Sequence, residues 1–178
     1  MNENTLFPPA APDFSDPLGL LRACHDRISQ HCDTLQRLAV HIAEKGVDQE
    51  AREAAAQVHR YFTVAAKHHS QDEEQDLFPR LARQSLKLAD IIHQLKQEHE
   101  AIDALWEPLE PLLNRPASIE DNSAFSEQVK QFTDAYRAHI RKENEDLLNL
   151  AQHIFGSDEL MQIGEKMAER RGKHIKLR

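Results

Sequence analysis

The sequence predicts an all-α fold: an up-down-up-down four-helix bundle with a short C-terminal fifth helix. Three observations carry that expectation. Glycine and proline are scarce, 5 and 8 in 178 residues, while Ala, Leu, Gln, Glu and Arg abound, which excludes turn-rich β architectures. Apolar residues recur at helical spacing through four long segments. The connections between those segments are short, so consecutive helices run antiparallel. With 40% hydrophobic and 29% charged residues, a chain of this length can bury a core without disulfides.

The elements follow in order. Residues 1–15 form an extended lead-in, and Thr5 to Pro17 contains four prolines. Asp16-Pro17 reads as a cap with proline at the first helical position. Leu21, Cys24, Ile28, Leu35, Ala39 and Ile42 then form a stripe that stops at Lys45-Gly46. Asp48 caps a second helix with the stripe Val58, Phe62, Ala65, His69, Glu73 and Leu77, disturbed at Pro79 and finished by about Gln84. A third helix runs from about Leu86 to Asn114 with Leu88, Ile91, Leu95, His99, Ile102, Trp106 and Leu109 on one face, kinked by Pro108 and Pro111. After a polar stretch, a fourth helix carries Phe125, Phe132, Tyr136, His139, Glu143 and Leu150. Phe155-Gly156-Ser157 breaks the chain and starts the fifth helix, marked by Leu160, Ile163 and Met167. The bundle with its C-terminal helix is expected over residues 16–170, with a basic, solvated tail over 171–178.

Charge and segment patterns exclude several function classes. The formal charge of −8 argues against nucleic-acid binding, which depends on neutralising phosphates. The last nine residues hold five Lys or Arg and leave −13 on the remainder. No run of about 18 apolar residues could span a membrane, and Met1 to Asp16 lacks the features of a signal peptide. Cys24 and Cys32 are eight positions apart on one helix, about 12 Å of rise, too far to pair. A reduced, cytoplasmic protein is the expectation. No Gly-rich phosphate loop or zinc-finger cysteine spacing occurs, and a bundle offers no strand-turn-helix elbow for a serine nucleophile.

The informative residues are histidines on apolar stripes, because polar groups inside a core need a reason to be there. The chain has 11 His. At about 100° per residue, His69 and Glu73 fall within about 20° of Phe62, and His139 and Glu143 lie similarly over Phe132. His99 lies within about 40° of Leu95, and His25 about 60° from Ile28. His41 and His93 point away from their stripes. Spacing by itself says little: His68/Asp72, His69/Glu73, His99/Asp103 and His139/Glu143 are four pairs where chance gives roughly two, and it means only that the partners share a helix face.

Depth says more. In an antiparallel bundle two residues meet only when they lie equally far from the turn that joins their helices. His25 and His69 lie about 21 and 23 residues from the first turn, Glu73 and His99 about 12 and 14 from the second, and His99 and His139 about 19 and 21 from the third. At about 1.5 Å per residue each mismatch is one helical turn or less. One histidine from each helix and two glutamates therefore converge on one level. Two buried carboxylates repel, and four imidazoles leave lone pairs to satisfy; bound cations meet both demands. The donor set suits iron, zinc or manganese. A pair of ions bridged by Glu73 and Glu143, each with two histidines, leaves coordination positions for an exogenous oxygen ligand. Without a metal, the same six residues would form a self-satisfied polar interior.

These residues resemble the hemerythrin-like, HHE cation-binding family. The resemblance rests on His25-Asp26-Arg27-Ile28, on the run from His69 through Glu73-Glu74 to Leu77-Phe78-Pro79-Arg80-Leu81, on Glu98-His99-Glu100, and on His139-Ile140-Arg141-Lys142-Glu143, and covers roughly residues 18–155. It implies a non-haem di-iron centre, oxo- or hydroxo-bridged, in a four-helix bundle, with His25, His69, His99 and His139 as ligands and Glu73 and Glu143 as bridges. Oxygen-carrying members place H-x-x-x-H on the third helix and a bridging aspartate on the fourth. Here those positions hold Asp103 and Glu143, which is closer to members associated with nitrosative or oxidative stress and iron-cluster repair. Ferritin-like di-iron proteins need Glu-x-x-His on two helices, and no Glu here has a His three residues on.

Other candidates have plainer readings. His31 is a residue of the core rim, His68 and Asp72 lie on a hydrated flank, and His153 is about 21 Å of rise from His139. Asp103 is either an extra ligand or the partner that orients His99. Tyr136 and Trp106 are core residues that could line a pocket, and His174 belongs to the tail. The leading expectation is a protein that binds oxygen, nitric oxide or iron for sensing, storage or stress protection. The alternatives are an enzyme using the same centre, of oxidase, peroxidase or nitric-oxide reductase-like type, and a bundle that has lost its metal. The fifth helix and tail either pack on the bundle or join two chains as a homodimer.

Overall fold

The computed structural model describes residues 12–173, all-α with no strand among them. The first helix spans Pro17–Lys45. The Asp16 carboxylate accepts the Gly19 N–H at 2.9 Å, and the helix ends at Gly46, whose φ of 79° is the left-handed conformation that glycine adopts without strain. Asp48 caps the second helix in the same way, accepting from Ala51 N–H at 2.8 Å. That helix covers 49–82 and is not uniform: α-helical turns alternate with two π-helical turns, Tyr61–Ala65 and Asp72–Leu77. Pro79 is the second residue of Phe78–Ala82, so its missing N–H falls at the exit of the second π turn, and the helix ends three residues later at Ala82.

Ser85 caps the third helix, Leu86–Trp106, which bends at Pro108 and continues as Leu109–Asn114. The fourth helix covers 122–154, starts at the Asp121 cap, and contains a third π-helical turn, Glu143–Leu148. The fifth helix, Ser157–Arg170, buries Ile163, Gly164, Met167 and Ala168. It packs on the bundle, where Gly164 lies so close to the Phe14 carbonyl that a Cβ would fall 1.9 Å from that oxygen. The first helix packs along the fourth and second, and the third along the fourth. No helix among the described residues is long and apolar enough to cross a membrane.

The π turns correct the expected stripes. A π turn holds about one residue more than an α turn, so it can change which residues face inward across it. Ala65, expected inside, is exposed and Ala66 is buried in its place. Leu150 is exposed, while Leu147, Leu148 and Ala151 are buried. On the third helix, Ile92 rather than Ile91 is the buried residue.

The core is in two parts. One apolar cluster runs from Ile28 and Leu35 through Phe62, Trp106, Phe132 and Tyr136 to Ile140. The other gathers Leu21, Leu77, Phe78, Leu95, Leu147, Ile163 and Met167. Between them lies a polar layer of buried His25, His69, Asp72, Glu73, His99, His139 and Glu143.

Candidate metal centre

Each of the four long helices delivers one histidine to this layer, and the second and fourth each add a glutamate at the start of a π turn. The helix above each π turn keeps its α phase, so His69 and His139 sit one α turn before Glu73 and Glu143. The widened turn below turns Leu77 and Leu147 back into the second apolar cluster. π turns interrupting α-helices recur at functional sites.

The six residues form two overlapping groups, His25-His69-Glu73-Glu143 and Glu73-His99-His139-Glu143, in each of which the donor atoms lie within 4.8 Å of one another. Every histidine presents Nε2 to the middle. Glu73 lies 3.1 Å from His69, 3.5 Å from His25 and 3.4 Å from His99; Glu143 lies 3.1 Å from His25 and 3.4 Å from His139. Within each half the rings pair closely, with centroids 4.8 Å apart for His25 and His69 and 4.6 Å for His99 and His139.

The outward ring nitrogens decide the chemistry. His99 Nδ1 lies 2.6 Å from Glu74 Oε1, His139 Nδ1 lies 2.9 Å from Glu98 Oε2, and His25 Nδ1 lies 2.9 Å from Asn144 Oδ1. Glu98 is held in turn by Lys142 Nζ at 2.7 Å. A carboxylate can only accept, so His99 and His139 donate from Nδ1 and, when neutral, aim a bare lone pair at the glutamates. Lone pair facing lone pair is repulsive unless a cation lies between them. His25 Nε2, His139 Nε2, Glu73 Oε2 and both Glu143 oxygens are buried without a hydrogen-bond partner. The residues therefore fit a metal. Two donors bound to one ion at about 2.1 Å and at right angles stand about 3.0 Å apart, near the spacings seen.

Protons show the same demand for positive charge. Burial lowers the pKa of His25, but its contacts with Glu143 and Glu73 outweigh this and lift it to about 9. His99 likewise reaches about 9, burial opposing and Glu73 prevailing. His69 is raised well above its usual value against its burial, chiefly by the Glu73 charge. Glu73, though buried, is held well below the usual carboxylate range by those histidines, His69 first.

The structure brings all six predicted residues together. It places the remaining candidates differently. Asp103 is exposed and does not hold His99; Glu74 does. Asp72 is fully buried and bound by Arg170 and Arg171, so neither the hydrated flank nor the solvated start of the tail holds. Burial of the Asp72 backbone in a widened turn, beneath a fifth helix that reaches back from 98 residues away, accounts for both. His31 sits at the core rim, stacked on Tyr61 with ring centroids 3.8 Å apart. His153 and His93 are exposed, and His41 bonds the capping Asp48 at 2.9 Å. Cys24 and Cys32 are buried free thiols. His174 lies outside the described residues. Sequence reasoning missed Glu98, Glu74 and Asn144 as supports; Glu74 and Glu98 stood in the motif runs, but their pairings cross between helices.

A cavity of about 210 Å³ opens between the second and third helices beside this layer. Its inner wall is Phe62, Ile102, Trp106, Phe132 and Tyr136, and its mouth includes Lys67, Glu74 and Asp103. Tyr136 lies with its ring 6.4 Å from that of His139.

The profile of a family described as hemerythrin HHE cation-binding domain matches residues 16–151. An uncharacterised protein of Haemophilus influenzae is 28% identical over 166 residues, which is 93% of this chain and 96% of that protein.

Proposed function

The chain belongs to the hemerythrin HHE cation-binding family, and on that premise we propose that it is a non-haem di-iron protein that binds oxygen, nitric oxide or iron for sensing, storage or stress protection. The observation that carries the reading is the inward set of partnerless lone pairs on His25, His139, Glu73 and Glu143, backed by carboxylates on the outward nitrogens of His99 and His139. His25 and His69 would hold one ion and His99 and His139 the other, with Glu73 and Glu143 common to both groups. Imidazole with carboxylate accommodates iron, with zinc or manganese as the other ions of similar demand. Iron held by these residues would supply open coordination to a small ligand.

The chain's own residues provide the rest. Glu74 and Glu98 fix the tautomers and ring orientations of His99 and His139. The two apolar clusters keep bulk water from both ends of the layer. The cavity lined by Trp106 and Tyr136, with Glu74 and exposed Asp103 among its walls, would be the approach for a small molecule from the side of the second and third helices. Metal analysis of protein purified without added metal tests the reading, with about two ions per chain expected. Iron loading and exposure to air should give near-UV charge-transfer bands; a colourless, metal-free protein would end it. Turnover of peroxide or nitric oxide, lost in Glu73→Ala, would move the assignment to an enzyme.

A further inference from the structure

We propose that Arg170 and Arg171 are positioning residues for Glu73, acting through Asp72, so that the C-terminal helix sets the geometry of the metal centre from outside the bundle. The inference builds on the metal reading above and concerns a part of the chain beyond the matched family region, which ends at residue 151. Asp72 immediately precedes Glu73, opens the same π turn, and is fully buried. Arg171 grips it with two bonds, Nη2 to Oδ2 at 2.7 Å and Nη1 to Oδ1 at 3.1 Å, and Arg170 adds a third through Nη1. Arg170 also binds Asp76 Oδ2 at 2.7 Å and Gln75 Oε1 at 3.1 Å, so two guanidinium groups hold three residues of one turn.

The clamp is itself anchored. Arg171 Nη1 donates to the Met167 carbonyl at 2.9 Å, and its guanidinium lies 5.9 Å from the Phe14 ring centre. Ile163 and Met167 seat the helix in the second apolar cluster. Buried ion pairs add little stability over apolar packing of the same volume; what this one adds is a fixed orientation. A π turn departs from the regular hydrogen-bond ladder, so the rotation of Glu73 about the helix axis is less strictly set from within. Glu73 must face His25, His69 and His99 at once. A small rotation of the turn would lose at least one of these. The Glu143 turn has no such ion-pair clamp among the described residues, and its Asn144 is bound instead to His25.

The test compares Asp72→Asn and the double variant Arg170→Gln/Arg171→Gln with Ile163→Ala, which loosens the seat of the helix but leaves the clamp. Metal-free protein is read first, by imidazole resonances. His25, His69 and His99 touch Glu73 and should shift in the clamp variants; His139, which touches Glu143, should hold. Iron affinity, by chelator competition, should then fall about tenfold or more in the clamp variants. In Ile163→Ala it should change by less than about threefold at a comparable loss of melting temperature. Arg171→Lys, with one point donor in place of a fork, should fall between. Unmoved resonances in Asp72→Asn, or an equal affinity loss in Ile163→Ala, would overturn the clamp. Failure of the wild-type protein to take up metal, with the shifts present, would count against the di-iron reading alone.

Discussion

The His25–His69 half of the centre and the His99–His139 half share two glutamates and have nearly the same ring separation, 4.8 and 4.6 Å. They differ behind the rings. His99 and His139 each lean on a carboxylate, Glu74 and Glu98, and Glu98 is pinned by Lys142. His25 has only the amide oxygen of Asn144. His69 Nδ1 has no well-aligned partner, and its neighbour is the Cys24 thiol. A carboxylate behind an imidazole increases the electron density it offers a metal; an amide does so less, and a thiol hardly. The two halves should therefore bind with unequal strength, and the His99–His139 half should fill first.

The largest effect should come from the residue the halves share. Glu73→Ala removes the carboxylate that faces His25, His69 and His99. Both ions should be lost, and elemental analysis should give well under one metal per chain. A variant that kept one tightly bound ion would show that the halves are independent, and would break the comparison at its root.

The next effect separates them. Glu98→Gln keeps size but weakens the support of His139, and Glu74→Gln does the same for His99. Each should lower affinity in the His99–His139 half about 10- to 100-fold and leave the other half nearly unchanged. Stepwise titration should then show the two binding steps merge or exchange order. Equal loss in both steps would mean that the outward bonds do not distinguish the halves.

The unequal supports also mark where the sequence stops being legible. The shared level of the six central residues was readable because phase and depth are arithmetic on helices of known rise. That arithmetic works for His25, His99 and His139, which have no π turn before them in their helices. It survives for His69 beyond the Tyr61–Ala65 turn because Phe62, Ala66, His69 and Glu73 stay buried at spacings of four, three and four residues. Beyond the Glu143–Leu148 turn it fails: Leu150 rotates out and Ala151 takes its place. A π turn has no fixed residue signature, because it is set by packing rather than by local preference. The pairings of Glu74 with His99 and Glu98 with His139 span 25 and 41 residues and cross between helices. No periodicity within one helix reports them. Asp72 shows both failures together, since its burial depends on a widened turn and on a helix almost a hundred residues further on.

A smaller effect, read as melting temperature, follows from protons taking the place of metal. In the metal-free protein the pKa of His25 and of His99 is raised to about 9, from an ordinary 6.5. A raised folded-state pKa contributes stability in full below the unfolded value and loses it as pH climbs through the folded one. His69 acts in the same direction. The metal-free protein should thus lose stability between about pH 6.5 and 9. Metal needs these imidazoles deprotonated, so its stabilising effect should grow across the same window. The gap in melting temperature between loaded and metal-free protein should widen from pH 6.5 to 9; a constant gap would show that protons do not occupy the site in place of metal. Toward acid, Glu73 has the opposite sign: its depressed pKa contributes stability above about 4.5 that is lost as pH falls.

The smallest effect lies in the weakly supported half. Asn144→Ala takes away the one outward acceptor of His25, and Cys24→Ser exchanges the thiol beside His69 for a hydroxyl. A neutral hydrogen bond has a net value of about 0.5–1.5 kcal/mol, so Asn144→Ala should weaken the His25–His69 ion by only about two- to tenfold. Cys24→Ser should strengthen the same ion slightly, because a hydroxyl accepts from Nδ1 better than sulfur does. That change of sign distinguishes support from burial. If outward bonds matter only as filler, both substitutions should weaken binding alike, and the His99–His139 half should respond to Glu98→Gln no more than the His25–His69 half does to Asn144→Ala.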